Sequence, residues 1–355
     1  MLVYWSWRSL NISMEYPSLD VAKAGAFRYN TDSNHLEIYD GNQWTEIVGD
    51  SPHLHTGGTR GLWAGGEEPG GRVNRIQYQN LASGGDTLDF GDASRTLTSH
   101  KAVANSTRGL IAGGFDGGQP TNYNNTIDLI TIASTGNATD YGDLAVFTGG
   151  QRAACSNEIR GLIMGGMYAG VHNNTIEVAF IPQNGNTVDF GNLTSINVGP
   201  SGVASQTRAL CFFGNTTPAR SNGIDYVTIS TQGNASDFGD STSVGNHRGT
   251  AANAVRAVTA GGQTNSGPID SIQYITMATL GDATDFGDLR SGNHAGYGGG
   301  AASRTRGVFG GGYNPSTTND IDMVEIMSLG NSIDFGNMAA TTQYAAGMSN
   351  GHGGL

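Results

Sequence analysis

Along most of this chain apolar and polar residues alternate in short runs broken by Gly, Asn, Ser and Thr. Thr126-Ile127-Asp128-Leu129-Ile130-Thr131-Ile132 is typical, and its two-residue period predicts a β-strand with one buried face. No stretch keeps the 3.6-residue spacing of an amphipathic helix. Between Lys101 and Leu144 the pattern predicts four strands in succession. Residues 101–105 form a short strand of small side chains, Ser106-Thr107 turns the chain, and Arg108-Gly109-Leu110-Ile111-Ala112 returns it to Gly113-Gly114. After a loop, Thr126 to Ile132 makes the third strand. Thr135-Gly136-Asn137-Ala138 supplies a turn tolerant of positive φ, and Thr139 to Leu144 makes the fourth.

This unit recurs. The phrase Thr59-Arg60-Gly61-Leu62-Trp63-Ala64-Gly65-Gly66 returns around Arg108, Arg160, Arg208, Arg256 and Arg306, at intervals of 48, 52, 48, 48 and 50 residues. A second phrase runs out of phase with it, as Asp89-Phe90, Asp140-Tyr141, Asp189-Phe190, Asp237-Phe238, Asp285-Phe286 and Asp334-Phe335. Such a period predicts an all-β array, a six-bladed β-propeller of four-stranded antiparallel blades over residues 51–355, with repeats starting near 59, 107, 159, 207, 255 and 305. First strands are built of Ala, Gly, Ser and Val, as a crowded central axis requires. Third strands carry Ile, Val, Tyr and Met, and the recurring Phe or Tyr is expected to wedge between blades. Only five first strands lie between the six copies, so the missing one is expected from the C-terminal strand 345–350, with His53 to Gly58 as the competing candidate.

The unit resembles a kelch repeat. Leu110-Ile111-Ala112-Gly113-Gly114 matches the strand ending in Gly-Gly, residues 127–132 match the third strand, and Tyr141 stands where kelch repeats carry tryptophan. The fourth copy departs, with Phe213-Gly214-Asn215 in place of Gly-Gly. A kelch-like fold is implied, and no specific kelch function follows from it.

Charge narrows the possible roles. The chain has 355 residues with 18 basic and 30 acidic side chains, so 18 − 30 gives −12, which argues against nucleic-acid binding. Glycine, at 56 of 355 residues, is about twice its usual share of roughly 7% and recurs at fixed phases, which marks turns and close packing. Cys155 and Cys211 fall at different phases and are expected to be small buried hydrophobes. No apolar run approaches membrane-spanning length, and residues 1–10 lack the apolar core of a secretory leader; Met14 is an alternative start to Met1.

The predicted topology places the turns after the first and third strands on one face and the remaining loops on the other. The first face is uniform, and its one arginine per repeat is expected to clamp a carboxylate or a carbonyl, with a ring of anion sites as the alternative. The other face varies from copy to copy. Its candidate binding residues are Phe115, Tyr123, Tyr168, His172, Arg220, His294, Tyr297 and Tyr313, because aromatics set among Asn, Asp and Thr suit a carbohydrate or protein ligand. Phe147, His247 and Arg248 lie in the same loop set. No catalytic constellation, phosphate loop or nucleophile elbow is present, so no enzyme activity, cofactor or metal is expected. His53-x-His55, near His352 at the predicted closure, reads as ordinary surface histidines.

Residues 1–50 stand outside the repeat. Within them, residues 24–48 read as a meander of three short strands, including Arg28-Tyr29-Asn30, Glu37-Ile38-Tyr39-Asp40-Gly41 and Trp44. This segment resembles one found in bacteriophage tail-fibre and virion structural proteins, and the Gly-Asn-Ala-Thr-Asp type repeats resemble those of marine phages. The resemblance implies a virion protein made in the host cytoplasm. Residues 1–50 would attach it to other virion proteins, in homotrimers in that family, while the propeller adheres to a host-surface glycan or protein. A virion polysaccharide-degrading enzyme and a secreted lectin-like propeller are the alternatives. Three strands are too few to stand alone, so a partner is expected.

Overall fold

A computed structural model describes residues 23–30, 35–46, 59–116, 123–146, 150–216, 219–290, 299–313 and 316–351. The chain divides into two units, Met1–His55 and Thr56–Leu355, and contains no α-helix among the described residues.

The larger unit contains six antiparallel sheets of four strands each, with small additions. Sheet 1 joins Ala346–Ser349, Arg60–Ala64, Arg75–Asn80 and Leu88–Asp92 in that order. Sheet 2 follows with Lys101–Ala104, Arg108–Ala112, Thr126–Thr131 and Thr139–Asp143. Sheet 3 has Ala153–Ser156, Arg160–Met164, Val171–Phe180 and Val188–Asn197, and sheet 4 has Ser201–Ala204, Arg208–Phe212, Gly223–Thr228 and Ser236–Asp240. Sheet 5 comprises Gly249–Ala252, Arg256–Ala260, Ser271–Thr276 and Thr284–Asp288. Sheet 6 comprises Gly299–Ala302, Arg306–Gly310, Asp320–Glu325 and Ile333–Asn337. The position beside Arg60–Ala64 is filled by Ala346–Ser349, with Met348 opposite Leu62 and Gly347 opposite Trp63; His53 to Gly58 lie outside the described residues.

Each first strand touches the first strand of the next sheet, and that of sheet 6 touches Ala346–Ser349 of sheet 1. Backbones meet so closely there that a Cβ on Gly347 would stand 2.3 Å from the Gly300 carbonyl oxygen, which explains the Ala and Gly content of these strands. Outward, six apolar clusters fill the spaces between neighbouring sheets. The recurring aromatic belongs to them: Phe90 of sheet 1 packs with Ile130 and Ile132 of sheet 2, and Phe190 of sheet 3 with Val227 and Ile229 of sheet 4. Burying one such side chain stabilises the fold by roughly 1.5–3 kcal/mol. Cys155 and Cys211 are buried, unbonded thiols in one cluster, and burial pushes the Cys155 thiol up to about 12.

Three sets of polar bonds repeat at every sheet junction. The phrase arginine donates from Nη1 to a carbonyl of the next sheet: Arg60 to Ile132, Arg108 to Ile181, Arg160 to Ile229, Arg208 to Met277, Arg256 to Ile326, and Arg306 to Leu81, which returns to sheet 1. All six make the carbonyl bond, and Arg306 adds a carboxylate, with Nε 3.1 Å from Glu325 Oε1. The Asp-aromatic phrase meets the turn of the next sheet. Gly136 N–H donates to the Phe90 carbonyl at 2.7 Å, and Asp92 N–H donates to Asn137 Oδ1 at 3.0 Å. Gly91 adopts φ 144°, and a Cβ there would lie 2.4 Å from the Gly136 carbonyl oxygen, so the Gly of this phrase is a steric requirement. Finally, one buried polar residue per third strand, Gln77, Asp128, Glu177, Asp225, Gln273 or Asp322, accepts a backbone N–H from the segment that follows the Asp-aromatic phrase of the preceding sheet, at 2.7–3.1 Å. Asp225 is held above the ordinary carboxylate range, chiefly by burial.

The small unit is the meander Phe27–Asn30, His35–Tyr39 and Trp44–Glu46. Its phrase residues gather on one side: Arg28 Nε lies 2.6 Å from Glu37 Oε2, its guanidinium stands 4.4 Å from the Trp44 ring centroid, and Asn30 donates to Glu37. The Asp40 carboxylate accepts the N–H groups of Gln43 and Asn42, which hold its pKa below the ordinary value. Phe27, Tyr29 and Leu36 are exposed.

Candidate binding site on the loop face

Loops after the second strands fold back as miniature hairpins, such as Asn215–Thr216 against Ala219–Arg220 and Gln263–Thr264 against Gly267–Pro268. Single bridges tie them to the loops entering the first strands: Glu67 to Gln343, Thr98 to Phe115, Gly150 to Met167, Val198 to Asn215, and Asn246 to Gln263. The two variable loop sets therefore lie side by side on one face, carried on rigid strands.

Three of the eight candidates meet there. Phe115 and Tyr123 of sheet 2 have ring centroids 5.0 Å apart, and Tyr123 lies 4.9 Å from Tyr168 of sheet 3. Tyr123 Oη accepts the Ala169 N–H at 2.8 Å, and Ala169 holds φ 48° to present it. The ring stack runs from core to solvent: Phe115 is 2% exposed, Tyr123 is buried, and Tyr168 is 41% exposed. Phe115 thus supports the stack from beneath, and Tyr168 offers its outer ring.

Of the other five candidates, three lie among the described residues. His172 stands opposite Met167 in the sheet 3 hairpin and is partly buried. Arg220 bridges two loops, donating from Nε to Asn215 Oδ1 and from Nη1 to Asn265 Oδ1, both at 3.1 Å. Tyr313 is 38% exposed and bridges to Thr317. His294 and Tyr297 lie outside the described residues, as do Phe147, His53, His55 and His352.

His247 and Arg248, read from the sequence as loop residues, are buried. So is His100, whose Nε2 lies 2.8 Å from the Ala64 carbonyl oxygen and donates to it in that tautomer. Burial drives His100 down to about 4, and drives His247 down to about 3 with help from the Lys101 and Arg220 charges. Both rings stay neutral in the folded protein at pH 5, whereas the unfolded chain protonates them below about 6.5. Stability is therefore complete above that pH and falls as the medium is acidified, by roughly 2 kcal/mol per histidine at pH 5. Thermal melts between pH 7.5 and 5 should show this decline, and His100→Gln with His247→Gln should flatten it. An unchanged parent melting temperature over that range would contradict the burial of two neutral rings.

Among the described residues no three His, Cys, Asp or Glu side chains gather in a way that could hold a metal ion. No protein-family profile matches the chain, and no curated protein matches it in sequence.

Proposed function

We propose that the six sheets are the blades of a closed, kelch-like propeller. We further propose that the chain is a phage virion structural protein, a tail fibre, spike or capsid appendage, that adheres to a host-surface glycan or protein. Cyclic contact between first strands and the six Arg-to-carbonyl bonds, the last returning to sheet 1, support the closed ring. The adhesive reading is carried by the Phe115–Tyr123–Tyr168 stack, whose partly exposed outer ring rests on two buried ones. A pre-ordered aromatic surface binds a sugar ring or an apolar side chain at little entropic cost. Attachment to other virion proteins, as a trimer, is assigned to residues 1–50, where exposed Phe27, Tyr29 and Leu36 give a three-strand sheet an apolar side to cover.

Binding of the full-length protein to a glycan array tests the adhesive reading. Tyr168→Ala, which removes a partly exposed ring, is expected to weaken binding at least ~10-fold, since stacking contacts are worth on the order of 1 kcal/mol or more. A variant that binds as well as the parent would reject the loop-face assignment.

A further inference from the structure

A cavity of ≈ 160 Å³ opens at the turn that joins the third and fourth strands of sheet 6. Five of its lining residues are apolar: Phe286 of sheet 5, and Met323, Val324, Leu329 and Ile333 of sheet 6. Phe286, Met323 and Val324 are buried, whereas Leu329 and Ile333 are each more than half exposed. Met327, in the same turn, is also more than half exposed, as is Leu280 in the corresponding turn of sheet 5. The turn itself is fixed, because Gly330 N–H donates to the Phe286 carbonyl at 2.9 Å.

Comparison between repeats shows that the fold does not require these side chains. Where sheet 6 has Met327, Leu329 and Ile333, sheet 4 has Ser230, Gln232 and Ser236, and sheet 2 has Ala133, Thr135 and Thr139. The strand register fixes the last of these phases: Ile333 pairs with Met323 as Ser236 pairs with Tyr226 and Thr139 with Leu129. The middle phase has a structural task elsewhere. Asn184 Nδ2 donates to the Asp140 carbonyl at 3.2 Å and Gln232 Nε2 to the Asp189 carbonyl at 3.0 Å, so each of those turns is latched to the preceding sheet. Leucine at 329 gives up that bond at the junction of sheets 5 and 6 and exposes an apolar side chain in its place. Large apolar groups gathered in the open around a cavity are the mark of a contact surface.

We propose that this cavity takes one aromatic side chain from an extended, basic segment of a partner protein. An apolar cavity of about 150 Å³ holds a single benzene-sized ring. Buried Phe286 offers such a ring a neighbour for an offset or edge-on contact. Charge sets the flank. The chain carries −12, and Asp285, next to Phe286, is exposed, whereas Glu325 and Asp334 are engaged by Arg306 and Arg290. A lysine or arginine beside the inserted ring therefore meets favourable charge. The cavity is on sheet 6 and Tyr168 on sheet 3, so a negative glycan array would leave this site standing.

Methyl NMR titrations of the full chain with three peptides, acetyl-Lys-Trp-Lys-amide, acetyl-Lys-Ala-Lys-amide and acetyl-Glu-Trp-Glu-amide, test the proposal. The first should shift the Leu329 and Ile333 methyl signals saturably. The alanine peptide should leave them in place, and the acidic peptide should bind at least ~3-fold more weakly than the first. Leu329→Gln, which copies Gln232, and Ile333→Thr, which copies Thr284, should melt like the parent and lose at least ~10-fold in affinity. In each variant the remaining methyl signal reports the binding. No saturable shift at Leu329 and Ile333, equal shifts with the alanine or the acidic peptide, or parent affinity in both variants would overturn the assignment.

Discussion

Deleting residues 344–355 is expected to remove most of the stability of the repeat unit, on the order of 5 kcal/mol or more, a large share of what a typical domain possesses. The deletion takes away the whole of Ala346–Ser349, the strand that pairs with Arg60–Ala64. Buried Met348 leaves its cluster with Leu62 and Ile130, and Ser349 Oγ no longer bonds the Ala302 backbone. Trp63, fully buried, loses the neighbour that covers its strand edge. Thermal and urea melts should show a lower, broadened transition, and a synthetic 344–355 peptide added in trans should restore part of it. A truncated chain that melts like the parent would mean that sheet 1 does not need its first strand.

Glu177→Gln should destabilise the protein by about 3–5 kcal/mol, because it leaves the buried Arg152 guanidinium without its counter-charge. For a chain of this size that corresponds to a melting-temperature drop of roughly 6–20 °C. Glutamine preserves the acceptor that receives the Val146 N–H, so the loss isolates charge from hydrogen bonding. Burial already lowers the Arg152 pKa from its ordinary value despite Glu177 opposite. Replacing both partners, Arg152→Met with Glu177→Gln, should recover most of the deficit, since no unpaired ion remains. If the single and double variants melt alike, the pair contributes as packing and not as charge.

The all-β character and the four-strand unit were legible in the sequence, because alternating runs such as residues 126–132 and the fixed interval between arginines are local signals. The meander phrases Arg28-Tyr29-Asn30 and Glu37-Ile38-Tyr39 also declared residues that meet, since neighbouring strands join them. The buried acceptors of the third strands were not legible. Their identity changes between Gln, Asp and Glu, and their donors, such as Ser94 for Asp128, lie 34 residues away and on another sheet. The aromatic stack escaped for the same reason. Phe115, Tyr123 and Tyr168 looked like separate loop aromatics, and only the side-by-side placement of two loops buries the first two beneath the third. Arg248 looked like a solvated loop residue; it is buried and bonded to the Ser243 and Gly261 carbonyls.

Five of the six sheet junctions are nearly interchangeable, built from the same arginine bond, glycine contact and aromatic. Interchangeable joints invite errors of assembly, in which the strand Ala346–Ser349 of one copy completes sheet 1 of another. The sixth junction carries a mark the others lack. Trp63 of sheet 1 reaches across it, packs with Val308 and Ile321 of sheet 6, and donates its indole N–H to the Gly299 carbonyl at 3.1 Å. That tryptophan gives sheets 1 and 6 a contact that no other pair of neighbouring sheets shares, so an array closing one unit short or one unit long would leave Trp63 without its pocket.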